Sequence, residues 1–242
     1  MPETPVRLQS APERRRPEAE EIEISVAYED DWLIAIDKPP GMVVHPTYKN
    51  WSGTLLNALL WRVQGREAVV PSIITRLDKQ TSGLVLVALS AGIHAQVQRD
   101  AEKGLVRKEY LAVVEGVPFP LAGTIALPLA RSPEDRRRVV VIDSGQASET
   151  RYEVISTTGE QSVVRCKLVT GRTHQIRVHL AARGWPIVGD EMYGRPHPFV
   201  TRQALHAWRV SLTHPVTRTL LEIETPVPLD LQQVLSDQNF TL

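Results

Sequence analysis

Residues 75–90 read TRLDKQTSGLVLVALS, a polar turn that runs without interruption into an apolar segment. The turn brings an acid, two bases and several hydroxyl groups together, and functional groups tend to lie on loops that a rigid scaffold holds. Asp78 is therefore a candidate nucleophile or base. The alternative is that Asp78 only caps its own turn by accepting hydrogen bonds from nearby amides.

On either side of this turn, the chain alternates between strand-like and helix-like segments. Apolar or alternating runs that end in Gly, Pro or polar turns predict strands within 22–37, 82–90, 108–117, 136–143, 147–159, 161–171, 205–215 and 219–228. Apolar residues at helical spacing predict helices within 54–63 and 91–104. In 173–184 the apolar spacing fits either a helix or a strand, and we predict a helix. Because the order shows no regular βαβ alternation, we predict an α+β fold with a mixed, mostly antiparallel central sheet and flanking helices.

We expect one catalytic domain over residues 21–235, between a mobile tail at 1–20 and a C-terminal tail at 236–242. The first 20 residues are rich in Pro, Glu and Arg. Such a segment buries too little apolar surface to offset the entropy of ordering it. Further along the chain, nothing in the composition marks an internal linker.

Composition excludes several classes of protein. The chain is 42% hydrophobic, yet no apolar run approaches the roughly 20 residues that cross a bilayer, so we expect no membrane association. The single cysteine, Cys166, excludes a disulfide scaffold. Because the N-terminus lacks the apolar core of a secretory signal, we expect a cytoplasmic protein.

The net charge of zero conceals an uneven distribution. Residues 1–37 carry ten acids and four bases, whereas residues 165–218 carry nine bases, two acids and five histidines. A local positive field of this kind suits a polyanion such as nucleic acid. It is equally compatible with a solvated face that balances the acidic end of the chain.

A second polar cluster is GRTHQIRVHL at 171–180. On a helix, residues three or four apart share a face, so His174 would lie beside Arg177 and Gln175 beside His179. Zinc requires more convergent ligands than a His-x4-His spacing without a nearby carboxylate, so we expect no metal. Phosphate contact is more natural for the arginines, because a guanidinium matches phosphate geometry.

A third cluster is KEYLA at 108–112, where Tyr110 is either a packing residue of a strand or a functional side chain. The sequence contains no Gly-x-Gly-x-x-Gly motif, no Walker loop and no Gly-x-Ser-x-Gly elbow. The sequence therefore lacks the motifs of nucleotide-binding proteins and of serine acyl-transfer enzymes, and we expect no cofactor.

Together, the clusters resemble the RluA family of RNA pseudouridine synthases. Five ordered blocks carry the resemblance: DKPPGMVVHP, TRLDKQTSGLVLVA, KEYLAVVEG, LVTGRTHQIRVHLAARGWPIVGDEMYG and LHAWRVSLTHP. One departure is Thr75, where the family often has histidine; we expect it to alter packing or RNA contact without removing activity. The resemblance implies the pseudouridine synthase catalytic fold, here without the separate N-terminal RNA-binding domain that many members carry.

The resemblance also implies roles for individual residues. Asp78 would be the nucleophile, Arg177 its cationic partner, and Tyr110 a side chain that stacks on the uracil and can help remove the C5 proton. Arg76 would fill the gap that the flipped nucleotide leaves, since a planar cation suits that vacancy. Leu180 would form, with Ile176 and Val188, an apolar wall around the base, although a core role for each is as well supported.

The remaining predictions concern the partner. Lys38, Arg172 and His174 fall in family blocks, and we assign them to RNA binding together with Arg76 and Leu180. The expected partner is ribosomal or transfer RNA, and the expected protein is a monomer, because one chain supplies every motif. A protein that binds RNA without catalysis is an alternative. A glycoside hydrolase is disfavoured, because that reaction needs a pair of carboxylates and no second acid accompanies Asp78 in the motif blocks.

Overall fold

The computed structural model describes residues 16–198 and 200–237, which form twelve strands and four helices. The strands are β1 Ser25–Glu29, β2 Leu33–Lys38, β3 Ser72–Ile73, β4 Ser82–Ala88, β5 Arg107–Glu115, β6 Ala122–Ala126, β7 Leu129–Arg131, β8 Val139–Val141, β9 Glu149–Thr157, β10 Gln161–Leu168, β11 Leu205–Thr213 and β12 Leu220–Glu224. The helices are α1 Leu55–Arg62, α2 Ala91–Glu102, α3 Gln175–Ala182 and α4 Leu229–Asp237. None of the described helices is long and apolar enough to cross a membrane.

Ten strands form one sheet in the order β1-β2-β4-β11-β5-β10-β9-β6, with β3 added to β4 and β12 to β11. Every pair in it is antiparallel except β4 with β11, and β7 and β8 form a separate hairpin. The predicted α+β class with a mixed, mostly antiparallel sheet is therefore confirmed.

Strand β4 is buried on both faces, as its unbroken apolar sequence predicts. Leu84 and Leu86 pack into the cluster that contains Val97 of α2. Val85 and Val87 pack with Leu55 and Leu59 of α1 on the opposite face. Since the polar turn 75–81 leads directly into β4, the fold anchors this turn through the most buried strand.

Gly83 explains how β4 can lie parallel to β11 at such close range. A Cβ atom at this position would lie 2.2 Å from the carbonyl oxygen of Ala207, and the Gly83 φ angle is +107°. Both facts exclude a larger residue, because only glycine adopts such a conformation without strain and leaves room for the neighbouring backbone.

The predicted helices at 54–63, 91–104 and 173–184 are confirmed as α1, α2 and α3. Strands β3, β6 and β7 and helix α4 were not predicted. Of the predicted tails, residues 1–15 and 238–242 lie outside the described residues. Within 16–20, the Glu18 carbonyl accepts a hydrogen bond from the Asn57 side chain, and the Glu20 amide donates to the Asn57 carbonyl, so these residues are bound to α1.

Most of the cations in 165–218 are paired with carboxylates of the folded chain, several of them at the surface. Six of its nine cations form ion pairs: Arg165 with Glu153, Lys167 with Glu109, Arg177 with Asp78 and Asp190, Arg195 with Glu115, Arg202 with Asp230 and Arg209 with Glu224. The charge count along the sequence therefore overstates the positive field that this part of the chain presents to a polyanion.

Candidate active site

A cleft of about 890 Å³ opens beside the turn that precedes β4. Its walls are the turn 73–78, one side of α2, and the segment 168–177 between β10 and α3. Tyr110 and Lys108 of β5 also line it. A cleft of this size accepts one small organic group such as a nucleoside, and it contains two of the three polar clusters found in the sequence together with Tyr110 of the third.

Asp78 and Arg177 meet in this cleft although 99 positions separate them in the sequence. The Arg177 Nη1 atom donates to Asp78 Oδ2 at 2.9 Å. Arg177 is 7% exposed and Asp78 is 23% exposed, so the pair is largely shielded from water but the carboxylate still faces the cleft. The Arg177 guanidinium is thus the cationic partner of the Asp78 side chain in the cleft.

Arg177 is held in place by a second acid, Asp190. Arg177 Nε and Nη2 donate to the two Asp190 oxygens at 2.7 and 2.8 Å, a bidentate pair. Asp190 Oδ1 also accepts from the backbone amides of Met192 and Tyr193. The two acids raise the pKa of Arg177 against the opposing effect of burial, so the guanidinium stays charged.

Tyr110 lies on the floor of the cleft, 7% exposed, in the core cluster that contains Ile176 and Leu205. Burial, and secondarily the negative charge of Asp78, raises the pKa of its phenol well above the ordinary value of 10.0. The phenol is therefore un-ionised at neutral pH, so Tyr110 can offer a ligand its aromatic ring and a protonated hydroxyl.

His174 approaches the same carboxylate from α3. Its Nε2 atom lies 3.8 Å from Asp78 Oδ2, and its Nδ1 atom lies 2.7 Å from the hydroxyl of Tyr193. Among the described residues, Asp78 Oδ1 has no hydrogen-bond partner, whereas Oδ2 faces both Arg177 and His174. The site thus leaves one carboxylate oxygen free for chemistry in the cleft.

Three cations line the cleft without an ion-pair partner in the described parts of the chain: Arg76, Lys108 and Arg172. Arg76 and Arg172 are exposed. Lys108 lies on the same face of β5 as Tyr110, because alternate residues of a strand share a face. Burial lowers the pKa of Lys108. These three side chains are placed to meet an anionic ligand beside Asp78.

Two residues that the sequence assigned to RNA contact have structural roles instead. Lys38 is fully buried, and its Nζ atom donates to the carbonyl oxygens of Pro39, Met42 and Lys79 at 2.7–3.1 Å. Leu180 is also fully buried, in the core under the sheet. Neither side chain lines the cleft. Lys38 ties the Asp78 turn to the loop after β2, and Leu180 packs α3, the core role that the sequence left open for it.

The helical pairing within 171–180 is as the spacing predicted. His174 and Arg177 both face Asp78, whereas the side chains of Gln175 and His179 both bond to the Thr150 hydroxyl on the other side of α3. Over residues 16–198 and 200–237, no group of three or more His, Cys, Asp and Glu side chains is arranged to hold a metal ion.

Comparison with known proteins gives this site its context. A family model described as RNA pseudouridylate synthase matches residues 32–182, which include both Asp78 and Arg177. The chain belongs to this family. It is 41% identical over 228 residues to ribosomal large subunit pseudouridine synthase D of Nitrosomonas europaea, covering 90% of this chain and 66% of that protein. It is 40% identical over 234 residues to the protein of the same name from Pseudomonas aeruginosa, covering 90% and 72%.

Two solved structures of pseudouridylate synthase domains share the architecture. Human RNA Pseudouridylate Synthase Domain Containing 4 superposes with a TM-score of 0.74 at 25% identity, over 90% of this chain and 94% of that one. Human RNA Pseudouridylate Synthase Domain Containing 1 superposes with a TM-score of 0.68 at 26% identity, over 94% of this chain and 98% of that one. The expected pseudouridine synthase fold is thus confirmed.

Sequence reasoning missed Tyr193 and the part that Asp190 plays in this family member. Asp190 caps its own turn by accepting from the Met192 and Tyr193 amides, and it also holds Arg177. The signal available was the segment GDEMYG at 189–194, in which an acid and an aromatic residue lie between glycines. Its contact with α3 is a tertiary feature that no local pattern encodes.

Proposed function

We propose that this chain converts uridine in RNA to pseudouridine, with Asp78 as the nucleophile. The observation that carries the proposal is the Asp78 carboxylate itself. Its Oδ2 atom is paired to Arg177, its Oδ1 atom has no partner among the described residues, and Asp78 and Tyr110 line the same cleft. The reaction breaks the N1–C1′ bond, forms a C5–C1′ bond and moves the C5 proton to N1, so it consumes no co-reactant. A shielded carboxylate can act at the sugar by covalent catalysis.

Base flipping accounts for the remaining features of the cleft. A uridine inside a structured RNA has to leave its stack, which costs a few kcal/mol. The cleft accepts the extruded base against Tyr110, and exposed Arg76 at its mouth, two residues before Asp78, fills the vacancy. Lys108 and Arg172 then contact the phosphates on either side of the flipped nucleotide.

We propose large-subunit ribosomal RNA as the substrate, because the relatives from Nitrosomonas europaea and Pseudomonas aeruginosa carry that substrate in their names. The groups described above all come from one chain, which supports a monomer. The cytoplasmic location stays a prediction from composition.

The test is to delete the gene from its host, restore it as wild type or as Asp78→Asn, and map pseudouridines in all RNA by carbodiimide sequencing. Asp143→Asn, an exposed aspartate outside the cleft, is the matched control. We expect one or more large-subunit sites that depend on wild type and on the control but vanish with Asp78→Asn. Sites that persist with Asp78→Asn would remove the nucleophile assignment, and an absence of dependent sites would favour RNA binding without catalysis.

Binding measured beside activity separates catalysis from recognition. Asp78→Asn is nearly isosteric, so we expect its affinity for the substrate RNA to stay within about tenfold of wild type, or about 1.4 kcal/mol. A larger loss would mean that Asp78 contributes mainly to binding.

A further inference from the structure

His174 has a backbone conformation that its sequence position does not require. Its φ and ψ angles of 55° and 16° are left-handed, which is uncommon outside glycine, and it precedes the first residue of α3. A residue at such a position normally caps the helix with its side chain, yet His174 makes no capping hydrogen bond. The ring is turned instead toward Asp78 and Tyr193, and strained residues of this kind cluster at functional sites.

The hydrogen bonds around Tyr193 determine which imidazole nitrogen of His174 carries the proton. The Val139 amide of β8 donates to the Tyr193 hydroxyl oxygen at 2.8 Å. The phenolic proton then has one acceptor within the described residues, His174 Nδ1 at 2.7 Å. Since Nδ1 accepts, a neutral His174 carries its proton on Nε2, the atom that faces Asp78.

The charges that surround His174 are consistent with a neutral ring. Burial lowers the pKa of His174 first of all; the charges of Arg177 and Arg131 act in the same direction, and those of Asp78 and Asp190 oppose it. The Tyr193 ring also lies under two guanidinium groups, with the Cζ atoms of Arg177 and Arg138 at 5.0 and 5.3 Å from its centroid. The phenol is therefore held from several sides and cannot turn away from His174 without losing these contacts.

We propose that His174, fixed in its neutral Nε2–H form by Tyr193, is the second hydrogen-bond donor to Asp78 Oδ2 and so leaves Oδ1 as the reacting atom. The present 3.8 Å separation is long, and such bonds commonly tighten when substrate binds. His174 and Tyr193 are thus positioning residues for the Asp78 carboxylate, and His174 is not an RNA contact. This role rests on the proposed function, but the hydrogen-bond arrangement can be tested without it.

The first test is nitrogen NMR of the imidazole rings in the ¹⁵N-histidine-labelled protein, with His174→Gln used to assign the signal. We expect a protonated Nε2 and an unprotonated Nδ1 at pH 7 in wild type, and a mixture of tautomers in Tyr193→Phe. A proton on Nδ1, or an imidazolium, would overturn the proposal. Because this readout needs no turnover, it decides the arrangement even if the protein fails to modify RNA.

The second test is a kinetic cycle on the substrate RNA. His174→Leu removes the donor, so we expect kcat to fall by about tenfold or more while KM stays within about twofold. His174→Gln keeps an N–H donor at nearly the same point, so it should restore most of the loss. If His174→Leu raises KM at constant kcat, the residue binds RNA and the proposal fails.

Tyr193→Phe separates a positioning role from a packing role. In the wild-type background we expect it to lower kcat, because the tautomer of His174 is no longer fixed. In the His174→Gln background we expect no further loss, because an amide has no tautomer to fix. An equal loss in both backgrounds would show that the hydroxyl acts only by holding the β7–β8 hairpin, and would overturn the proposed role of Tyr193.

Discussion

At the scale of single residues, Arg177 links the chemistry of the site to the stability of the fold. Its guanidinium contacts Asp78, the proposed nucleophile, and Asp190, which is 1% exposed and has no other cationic partner in the described structure. Removing one member of a buried pair leaves the other charge uncompensated, and such losses cost about 3–5 kcal/mol. One side chain therefore supports both functions, and its replacement cannot affect catalysis alone.

We expect Arg177→Ala to abolish turnover and to lower the free energy of unfolding by about 3–5 kcal/mol. Arg177→Lys should recover part of the stability but little activity, because an ammonium cannot bridge two carboxylates as a guanidinium does. Urea denaturation and single-turnover rates measure the two effects. Arg183→Ala, an exposed arginine after the same helix, should change neither, and wild-type rates in Arg177→Ala would contradict the pairing.

Tyr110→Phe tests what the phenol contributes. Because burial and Asp78 hold its pKa well above 10.0, the hydroxyl stays protonated through the neutral range and cannot serve as a base there. We therefore expect Tyr110→Phe to keep most of the wild-type kcat, and the two proteins to have the same kcat–pH profile between pH 6 and 9. Tyr110→Ala should lose activity through loss of the stacking face. If the wild-type kcat rises with pH in this range and the kcat of Tyr110→Phe does not, the phenol acts as a base after all.

At the scale of elements, the position of the turn that carries Asp78 depends on how closely β4 approaches β11. Gly83→Ala would place a methyl group 2.2 Å from the Ala207 carbonyl oxygen at a φ of +107°. We expect a loss of more than about 3 kcal/mol in unfolding free energy, at the upper end for single substitutions. Gly159→Ala, at a φ of +94° with open space around it, should cost only about 1–2 kcal/mol. Equal losses would mean that backbone conformation, and not the strand contact, makes Gly83 necessary.

Lys38 makes a second tie between elements, from the end of β2 to the Asp78 turn. Lys38→Met keeps most of the side-chain volume but leaves three backbone carbonyl oxygens without their donor. We expect a loss of about 2–4 kcal/mol, in line with unsatisfied buried polar groups. The neighbouring exposed residue gives the control, since Lys79→Met removes a solvated charge and should change thermal stability little. A Lys38→Met protein as stable as wild type would show that water replaces the lysine.

At the scale of the whole molecule, sequence patterns predicted the long elements and missed the short or late ones. Strand β4 has an unbroken apolar run and helices α1 and α2 have apolar residues at helical spacing, whereas β6 offers one buried apolar residue, Ile125, in five positions. Helix α4 did carry a signal, Leu231, Val234 and Leu235 at helical spacing, and only its last two residues, 236–237, fall in the expected C-terminal tail. The meeting of Asp78 with Arg177 came only from the family resemblance, because periodicity describes neighbours along the chain and not contacts across 99 positions.

The distribution of charge over the whole molecule predicts how RNA binding depends on salt. Most cations of 165–218 already have a carboxylate partner, so few are free to displace counterions from phosphates. Each phosphate contact on single-stranded nucleic acid contributes about 0.7 to the slope of log K against log salt concentration. We expect Arg172→Gln to reduce the magnitude of that slope by about 0.7, since Arg172 lines the cleft and has no ion-pair partner among the described residues.

Arg165→Gln is the matched control. The Arg165 guanidinium donates to Glu153 at 2.5 Å, so the Glu153 carboxylate already offsets its positive charge. Its slope should equal that of wild type over a series of salt concentrations, with affinity measured on one labelled RNA. If both variants reduce the slope equally, RNA binds along the whole basic segment and displaces its ion pairs. If only Arg172→Gln does, the unpaired cations beside Asp78 form the electrostatic part of the RNA site, as the distribution of ion pairs implies.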